Sequence, residues 1–279
     1  MHTDQTPPTL RLRRRLLVVV AAALAALTLA GSHAAAGTAS PDQATSVKST
    51  VVLVHGAWAD SSGWSDVTKR LQDDGYPVIA VANPLRTLAG DAAYLRSVTD
   101  QIPGPVVLVG HSYGGAVITN AAVGSANVVA LVYVAGFIPD VGEDVLHIAG
   151  AGSQVPASIE FKGFPPFGQT DVDIYIKADM FRSTFAADLP ARQTATMAAT
   201  QRPLAYLAAS APTTQTAWTD IPSWSVIPTN DRTITPDAHQ AMAERAGATV
   251  VEVRSSHVVM ITQPRVVTNV IETAAEATT

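Results

Sequence analysis

The chain predicts one α/β domain, a six-stranded and mostly parallel sheet with helices on both faces and a small helical cap inserted after the fourth of these strands. Three observations carry this. From Thr50 onward short apolar runs alternate with amphipathic stretches, as strands buried on both faces and joined by crossover helices do. The apolar run Val106-Val-Leu-Val109 leads directly into Gly110-His-Ser-Tyr-Gly114, a serine set between glycines at a strand-to-helix turn. Between Pro139 and Pro222 the alternation stops, which marks an insertion.

The elements follow in order. Thr50 to Val54 is the first strand, and His55-Gly56 closes it. Over Asp60 to Asp74 the residues Trp64, Val67 and Leu71 share one helical stripe, ended by Gly75. Strand Pro77 to Val81, helix Asp91 to Gln101, strand Val106 to Val109 and the helix after the serine turn come next, then strand Val128 to Val134. Beyond the insertion lie strand Trp224 to Ile227, helix Pro236 to Ala246, strand Thr249 to Val253 and helix Pro264 to Glu272. The core is therefore 50–138 with 221–279, and the cap is 139–220. Within the cap, Gly150 to Gly168 is rich in Gly and Pro, while Asp171 to Phe185 and Ala191 to Ala209 read as helices.

The first residues read as an export signal. Arg11-Leu-Arg-Arg-Arg15 is a cationic start, Leu16 to Ala30 an apolar run, and Ser32, Ala34 and Ala36 supply the small residues of a cleavage zone. Fifteen apolar residues are short for a membrane span. The expectation is a signal peptide over 1–36, of Sec type or a loose twin-arginine variant, then a disordered lead-in over 37–49 and a secreted product without stable membrane association. The chain has no cysteine, so an exported form relies on its core rather than on disulfides. A net charge of −5, with no basic patch, phosphate loop or metal-ligand cluster in the pattern, points away from nucleic acid and metal.

The chemistry resides in residues far apart in sequence. A glycine-x-Ser-x-glycine turn lifts the Ser112 hydroxyl above the sheet, where it can act as a nucleophile if a base takes its proton. The base candidate is His257, just beyond strand Thr249 to Val253. The acid candidate is Asp231, in the loop after strand Trp224 to Ile227, with Asp140 as its rival. Chain order Ser, acid, His suits an open parallel sheet, whose carboxyl edge gathers such residues. His55 and His111 read as residues that bond locally, and His147 and His239 as cap and helix surface positions. Backbone N–H groups of Ala57 and Tyr113 are the candidates to receive negative charge on a substrate oxygen. Five of the six phenylalanines, Phe161, Phe164, Phe167, Phe181 and Phe185, lie in the cap. Together with Trp58 they are candidates to line an apolar substrate pocket.

The combination of His55-Gly56-Ala57, Gly110 to Gly115, Val134-Ala-Gly-Phe-Ile-Pro-Asp140 and the late Asp231 and His257 resembles the α/β-hydrolase superfamily. It is most similar to the small-cap branch of plant methyl esterases, hydroxynitrile lyases and bacterial carboxylesterases, over roughly Thr50 to the C-terminus. The resemblance implies a Ser112, His257, Asp231 triad, oxyanion donors at Ala57 and Tyr113, and a cap after the strand that the family counts as its sixth. Its lyase members carry a Thr after the strand-end His and a Lys in the late catalytic loop. Here Gly56 follows His55 and no Lys lies near His257, which favours ester hydrolysis. The expected function is a secreted serine hydrolase that uses no cofactor or metal and cleaves small-molecule esters with apolar groups through an acyl-enzyme. The alternatives are perhydrolase or haloperoxidase chemistry on the same triad, or a non-catalytic binding protein on this scaffold.

Overall fold

The computed structural model describes residues 48–164 and 171–278. The signal-peptide reading of 1–36 and nearly all of the 37–49 lead-in fall outside these residues. Along the chain, β1 (Thr50–Val54), α1 (Ser65–Asp73), β2 (Val78–Val81), α2 (Leu88–Thr99), β3 (Val106–His111), α3 (Tyr113–Ala121) and β4 (Val128–Val134) alternate. Then α4 (Val155–Ser158), β5 (Ile159–Phe164), β6 (Asp171–Ile176), α5 (Ala178–Phe185), α6 (Ala191–Thr200), β7 (Leu204–Ala205) and α7 (Tyr206–Ala209) interrupt the order. It resumes with β8 (Ser223–Pro228), α8 (Pro236–Arg245), β9 (Thr249–Val253), α9 (Val259–Thr262) and α10 (Pro264–Glu276).

Six strands form one sheet in the order β2-β1-β3-β4-β8-β9, and each neighbouring pair is parallel. Val51 to Val54, Val106 to Val109 and Leu131 to Val134 are all at most 1% exposed. Successive strand side chains point to opposite faces, so unbroken burial requires cover on both. Each such Val or Leu contributes roughly 1.5–3 kcal/mol of apolar burial. Truncating Leu108 to Ala therefore costs about 2–5 kcal/mol.

The helices supply that cover. Val67 and Leu71, one turn apart on α1, are buried beside Trp64, and α10 buries Val267, Val270, Ile271 and Ala274. These two helices pack on each other, and α2 packs on α3. α2 starts at Leu88, three residues before the expected Asp91, because the Thr87 hydroxyl accepts the Gly90 N–H at 3.1 Å and caps the first turn. α8 begins as expected, with Thr235 capping the Ala238 N–H and Pro236 in its first turn.

Register brings the carboxyl ends of the strands to one edge. Val54 pairs with Gly110, His111 with Val134, and Val134 with Val226. The segments leaving β1, β3, β4 and β8 consequently emerge in that order along one edge.

The insertion between β4 and β8 carries helices α5 and α6, which pack together, and also a three-stranded antiparallel sheet ordered β5-β6-β7. The helix expected over 171–185 thus begins as strand β6, paired with β5 from Ile159 opposite Ile176. Its Val172, Ile174 and Ile176 alternate with polar or amphipathic neighbours, a period of two that defeats a helical stripe. The helix expected over 191–209 ends at Thr200, and Pro203 separates it from β7, since proline has no N–H to continue the ladder.

Candidate active site

Ser112 occupies the junction of β3 and α3 with φ +53° and ψ −124°, a backbone that side-chain-bearing residues seldom adopt. The surroundings hold it there. Its N–H donates to Ala135 O at 3.2 Å and its carbonyl accepts the Phe137 N–H at 3.1 Å. The sharp turn brings Gly110 so close to α3 that an added Cβ would stand 2.5 Å from Gly114 O. The glycine spacing in the sequence is thus a requirement of the turn.

The segment after β1 is fixed on the other side. His55 is buried, its Nδ1–H donates to Gly56 O at 2.9 Å, and its Nε2 accepts the Asn83 N–H at 3.1 Å. Arg202, between α6 and β7, brings a guanidinium nitrogen within 3.3 Å of the same Nε2, and its carbonyl accepts the Trp58 N–H at 2.8 Å. Burial, with the Arg202 charge adding to it, pushes the His55 imidazole down to about 4, so His55 is neutral and keeps this tautomer near neutral pH. Trp58 has φ +58°, and its indole N–H donates to Ile174 O at 2.9 Å, which ties the loop to cap strand β6.

Asp231 and His257 meet although 26 residues separate them. His257 Nδ1 donates to Asp231 Oδ2 at 2.7 Å, and both side chains are fully buried. Asp231 Oδ1 accepts the backbone N–H groups of Thr233 at 2.8 Å and Ile234 at 3.2 Å. Burial by itself would raise the Asp231 carboxyl; the adjoining His257 and the hydrogen bonds from His239 and His257 outweigh it and hold the group far below the usual carboxylate range. The rival Asp140 instead caps its own turn, accepting the Val141 N–H at 2.7 Å, while its N–H donates to Glu143 at 2.8 Å.

The His257 ring is packed between His111, at 4.8 Å between centroids, and Phe185, at 5.1 Å. His111 Nε2–H donates to the His257 carbonyl at 3.1 Å, so this histidine bonds across the sheet edge rather than locally. Burial first, then the neighbouring His257, keeps the His111 imidazole well below its ordinary value. His257 Nε2 is buried without a partner among the described residues. Asp188, between α5 and α6, accepts from the Ser256 N–H at 2.7 Å and from the Ser255 and Ser256 hydroxyls, which steadies the segment before His257.

Ser112, Tyr113 and Ala57 line a cavity of about 250 Å³. Its remaining wall includes Val145, Leu146, Ile159, Ile174 and Leu204, aliphatic side chains of the cap and its flanks. This corrects the expectation for the cap phenylalanines. Phe181 and Phe185 are fully buried in the cap interior and against Trp58 and His257, and Phe161 is 56% exposed beside Tyr206. None of these three lines the Ser112 cavity, whereas Trp58 does. Phe167 and the Phe164 side chain lie outside the described residues.

His239 is the second correction. Expected on a helix surface, it is 1% exposed, and its Nε2 donates to Asp231 Oδ2 at 3.0 Å. Asp231, His239 and His257 hold nitrogen and oxygen atoms within 4.8 Å of one another, arranged as a hydrogen-bonded set in which both imidazoles donate to one carboxylate oxygen. The spacing from Asp231 to the first turn of α8 was visible in the sequence; that this face of α8 turns inward was not. Arg202 and Asp188 left no sequence signal, because each acts from the cap on a loop far away in the chain.

Comparison with known proteins bears on the family and the fold. The sequence profile of the "Alpha/beta hydrolase family" matches residues 51–270. A carbendazim-hydrolysing esterase of Nocardioides sp. (strain SG-4G) is 33% identical over 128 residues, covering 40% of this chain and 52% of that protein, so the match spans about half of the relative's length. The solved structure of polyneuridine aldehyde esterase superposes with a TM-score of 0.70 at 18% identity, covering 81% of this chain and 98% of that one. A pyrethroid hydrolase from Sphingobium faniae JZ-2 gives 0.67 at 18% identity, covering 82% and 98%. Tomato methylketone synthase I bound to 2-tridecanone gives 0.69 at 19%, covering 84% and 100%. At these identities the structural likeness speaks to the fold, while the profile spans most of the chain. The chain belongs to the alpha/beta hydrolase family.

Proposed function

We propose that the protein is a serine hydrolase of carboxylic esters, with Ser112 as nucleophile, His257 as general base and acid, and Asp231 as the carboxylate that orients His257. One observation carries the reading: the buried 2.7 Å bond from His257 Nδ1 to Asp231 leaves Nε2 as the free proton acceptor of a ring packed on His111, the neighbour of Ser112. In this mechanism Ser112 Oγ attacks the ester carbonyl carbon while His257 Nε2 takes its proton. The N–H groups of Ala57 and Tyr113 receive the charge on the former carbonyl oxygen. The carbon–oxygen bond to the alcohol then breaks, His257 returns the proton to the leaving alcohol, and an acyl-Ser112 ester remains. Water, deprotonated by His257, releases the carboxylic acid and restores Ser112.

The aliphatic wall around Ser112 supports apolar esters as the substrate class, and the relatives named for ester and pyrethroid hydrolysis support the reaction type. The cationic and apolar pattern of residues 11–30 supports export with removal of 1–36. The test is an alkyl fluorophosphonate probe with peptide mapping, beside p-nitrophenyl ester turnover. Labelling confined to Ser112 and a loss of several orders of magnitude in kcat for Ser112→Ala are expected; label on another serine, or an active Ser112→Ala, overturns it.

A further inference from the structure

His239 is a buried imidazole for which the mechanism above has no use. It stands one turn into α8 and eight residues past Asp231. Its Nε2 lies 3.0 Å from Asp231 Oδ2, the same oxygen that His257 Nδ1 reaches at 2.7 Å. An ionised carboxylate only accepts, so both ring nitrogens bring a hydrogen to it. With Thr233 and Ile234 N–H groups on Oδ1, four donors occupy the carboxylate and fix its plane. The other nitrogen of His239, Nδ1, is buried without a partner, which leaves the contact with Asp231 as the one polar bond of this ring among the described residues.

We propose that His239 is a positioning residue for the Asp231 and His257 pair: it holds Oδ2 on line with His257 Nδ1 and, by drawing on the same oxygen, limits how strongly Asp231 favours protonated His257. A carboxylate oxygen shared by two donors is a weaker acceptor toward each than one serving a single donor. Removing His239 therefore loosens the plane of Asp231 and at the same time turns more of its charge toward His257. The first effect lowers turnover. The second strengthens the pull of Asp231 on His257 Nδ1–H, so that the acid limb of activity lies at a higher pH than before.

The other titratable groups near His257 are His111, stacked at 4.8 Å, His55 beyond it, and Asp188, which holds Ser255 and Ser256. Among the described residues none of them bonds to Oδ2, so a change caused by replacing His239 travels through Asp231.

The proposal rests on the catalytic reading of Ser112, His257 and Asp231, and the experiment separates the two. The pH dependence of kcat/KM for a p-nitrophenyl ester is measured for the full chain and for His239→Leu, His239→Asn, His239→Gln and Ser112→Ala, with a melting temperature for each. His239→Leu removes the donor, and His239→Asn offers one too short to reach. Either is expected to lower kcat about tenfold and to move the acid limb upward by about one pH unit. His239→Gln, whose amide nitrogen can stand near the former Nε2, is expected to keep the wild-type limb and to recover kcat to within about threefold. A lowered melting temperature with an unmoved acid limb in the Leu and Asn variants would mean that His239 only fills space, and overturns the proposal. So does a folded Gln variant that behaves like Asn. Should Ser112→Ala retain turnover, the catalytic reading falls and this proposal with it; an inactive Ser112→Ala beside an unmoved limb sinks this proposal alone.

Discussion

A Cβ placed on Gly56 would stand 2.6 Å from the Cβ of Ser112, and also 2.8 Å from His111 O and 3.1 Å from Tyr113 N. The loop after β1 therefore lies directly on the turn after β3, and the two proposed oxyanion donors, Ala57 and Tyr113, flank that contact. Gly56→Ala must push the loop away from Ser112. The expected result is a fall in kcat on the order of 10²–10³, the loss of one misplaced donor, with a smaller change in KM. Steady-state kinetics with a short p-nitrophenyl ester check this, and a wild-type kcat would remove Ala57 from the role.

The two carboxylates once in contention should differ sharply. Asp231→Asn keeps the shape but puts an amide where His257 needs an acceptor, so kcat should drop by about 10⁴ near neutral pH. Asp140→Asn touches only a turn closed by Val141 and Glu143, and should change kcat less than about twofold, as surface substitutions do. Comparable losses in both would reassign the acid.

Acid sensitivity should begin above the range where carboxylates titrate. Buried His55 is held near 4 against an ordinary 6.5, so between these values the unfolded chain binds a proton that the folded one refuses. Stability from this group is intact above about 6.5 and falls as pH drops toward 4, by about 3 kcal/mol in all. His111 is lowered in the same direction. The stabilising contribution of Asp231, whose folded value is depressed, is full above its ordinary 3.8 and fades only below that. In urea unfolding from pH 7.5 to 4.5, His55→Gln should flatten the slope near pH 5 by about 1 kcal/mol per pH unit. An unchanged slope would show that His55 is not the group responsible.

Substrate length should be read by aliphatic residues. If an acyl chain fills the cavity beside Ser112, each buried methylene should raise kcat/KM about fourfold until the space is used. Leu204→Trp should shorten the preferred chain while sparing acetate esters, because Ser112, Ala57 and Tyr113 belong to the core. Phe161→Ala, far out on β5 and 56% exposed, should leave the profile unchanged. Rates for acetate through octanoate esters distinguish these outcomes, and a Leu204→Trp profile identical to wild type would disprove the pocket assignment.

Much of this molecule could be read from its sequence because its signals are local. Val51 to Val54 and Val106 to Val109 announce buried strands by composition alone, and Gly110 to Gly114 encodes a turn whose crowding leaves little choice of residue. Thr235, Pro236 and Asp237 mark a helix start within three positions. The cap was less legible. Val172, Ile174 and Ile176 do alternate, but strand β6 exists only because β5 and β7 pair with it, and a run of six residues carries too little periodicity to outweigh the helical Ala178 to Phe185 that follows.

The sequence by itself determined the chain order of the proposed catalytic residues, Ser112 then Asp231 then His257, and the sheet that could gather them, since a serine at a glycine-bounded turn and two late loops after apolar strands are patterns of neighbouring residues. Tertiary structure alone decided which side chains surround them. Phe185 became packing for His257 instead of wall of the Ser112 cavity, Leu204 and Ile174 became wall of that cavity, and His239 turned inward to share a carboxylate oxygen with His257. The physical reason is that burial and hydrogen bonding at a sheet edge are settled by elements remote in the chain, whose side chains meet only once register and helix rotation are set.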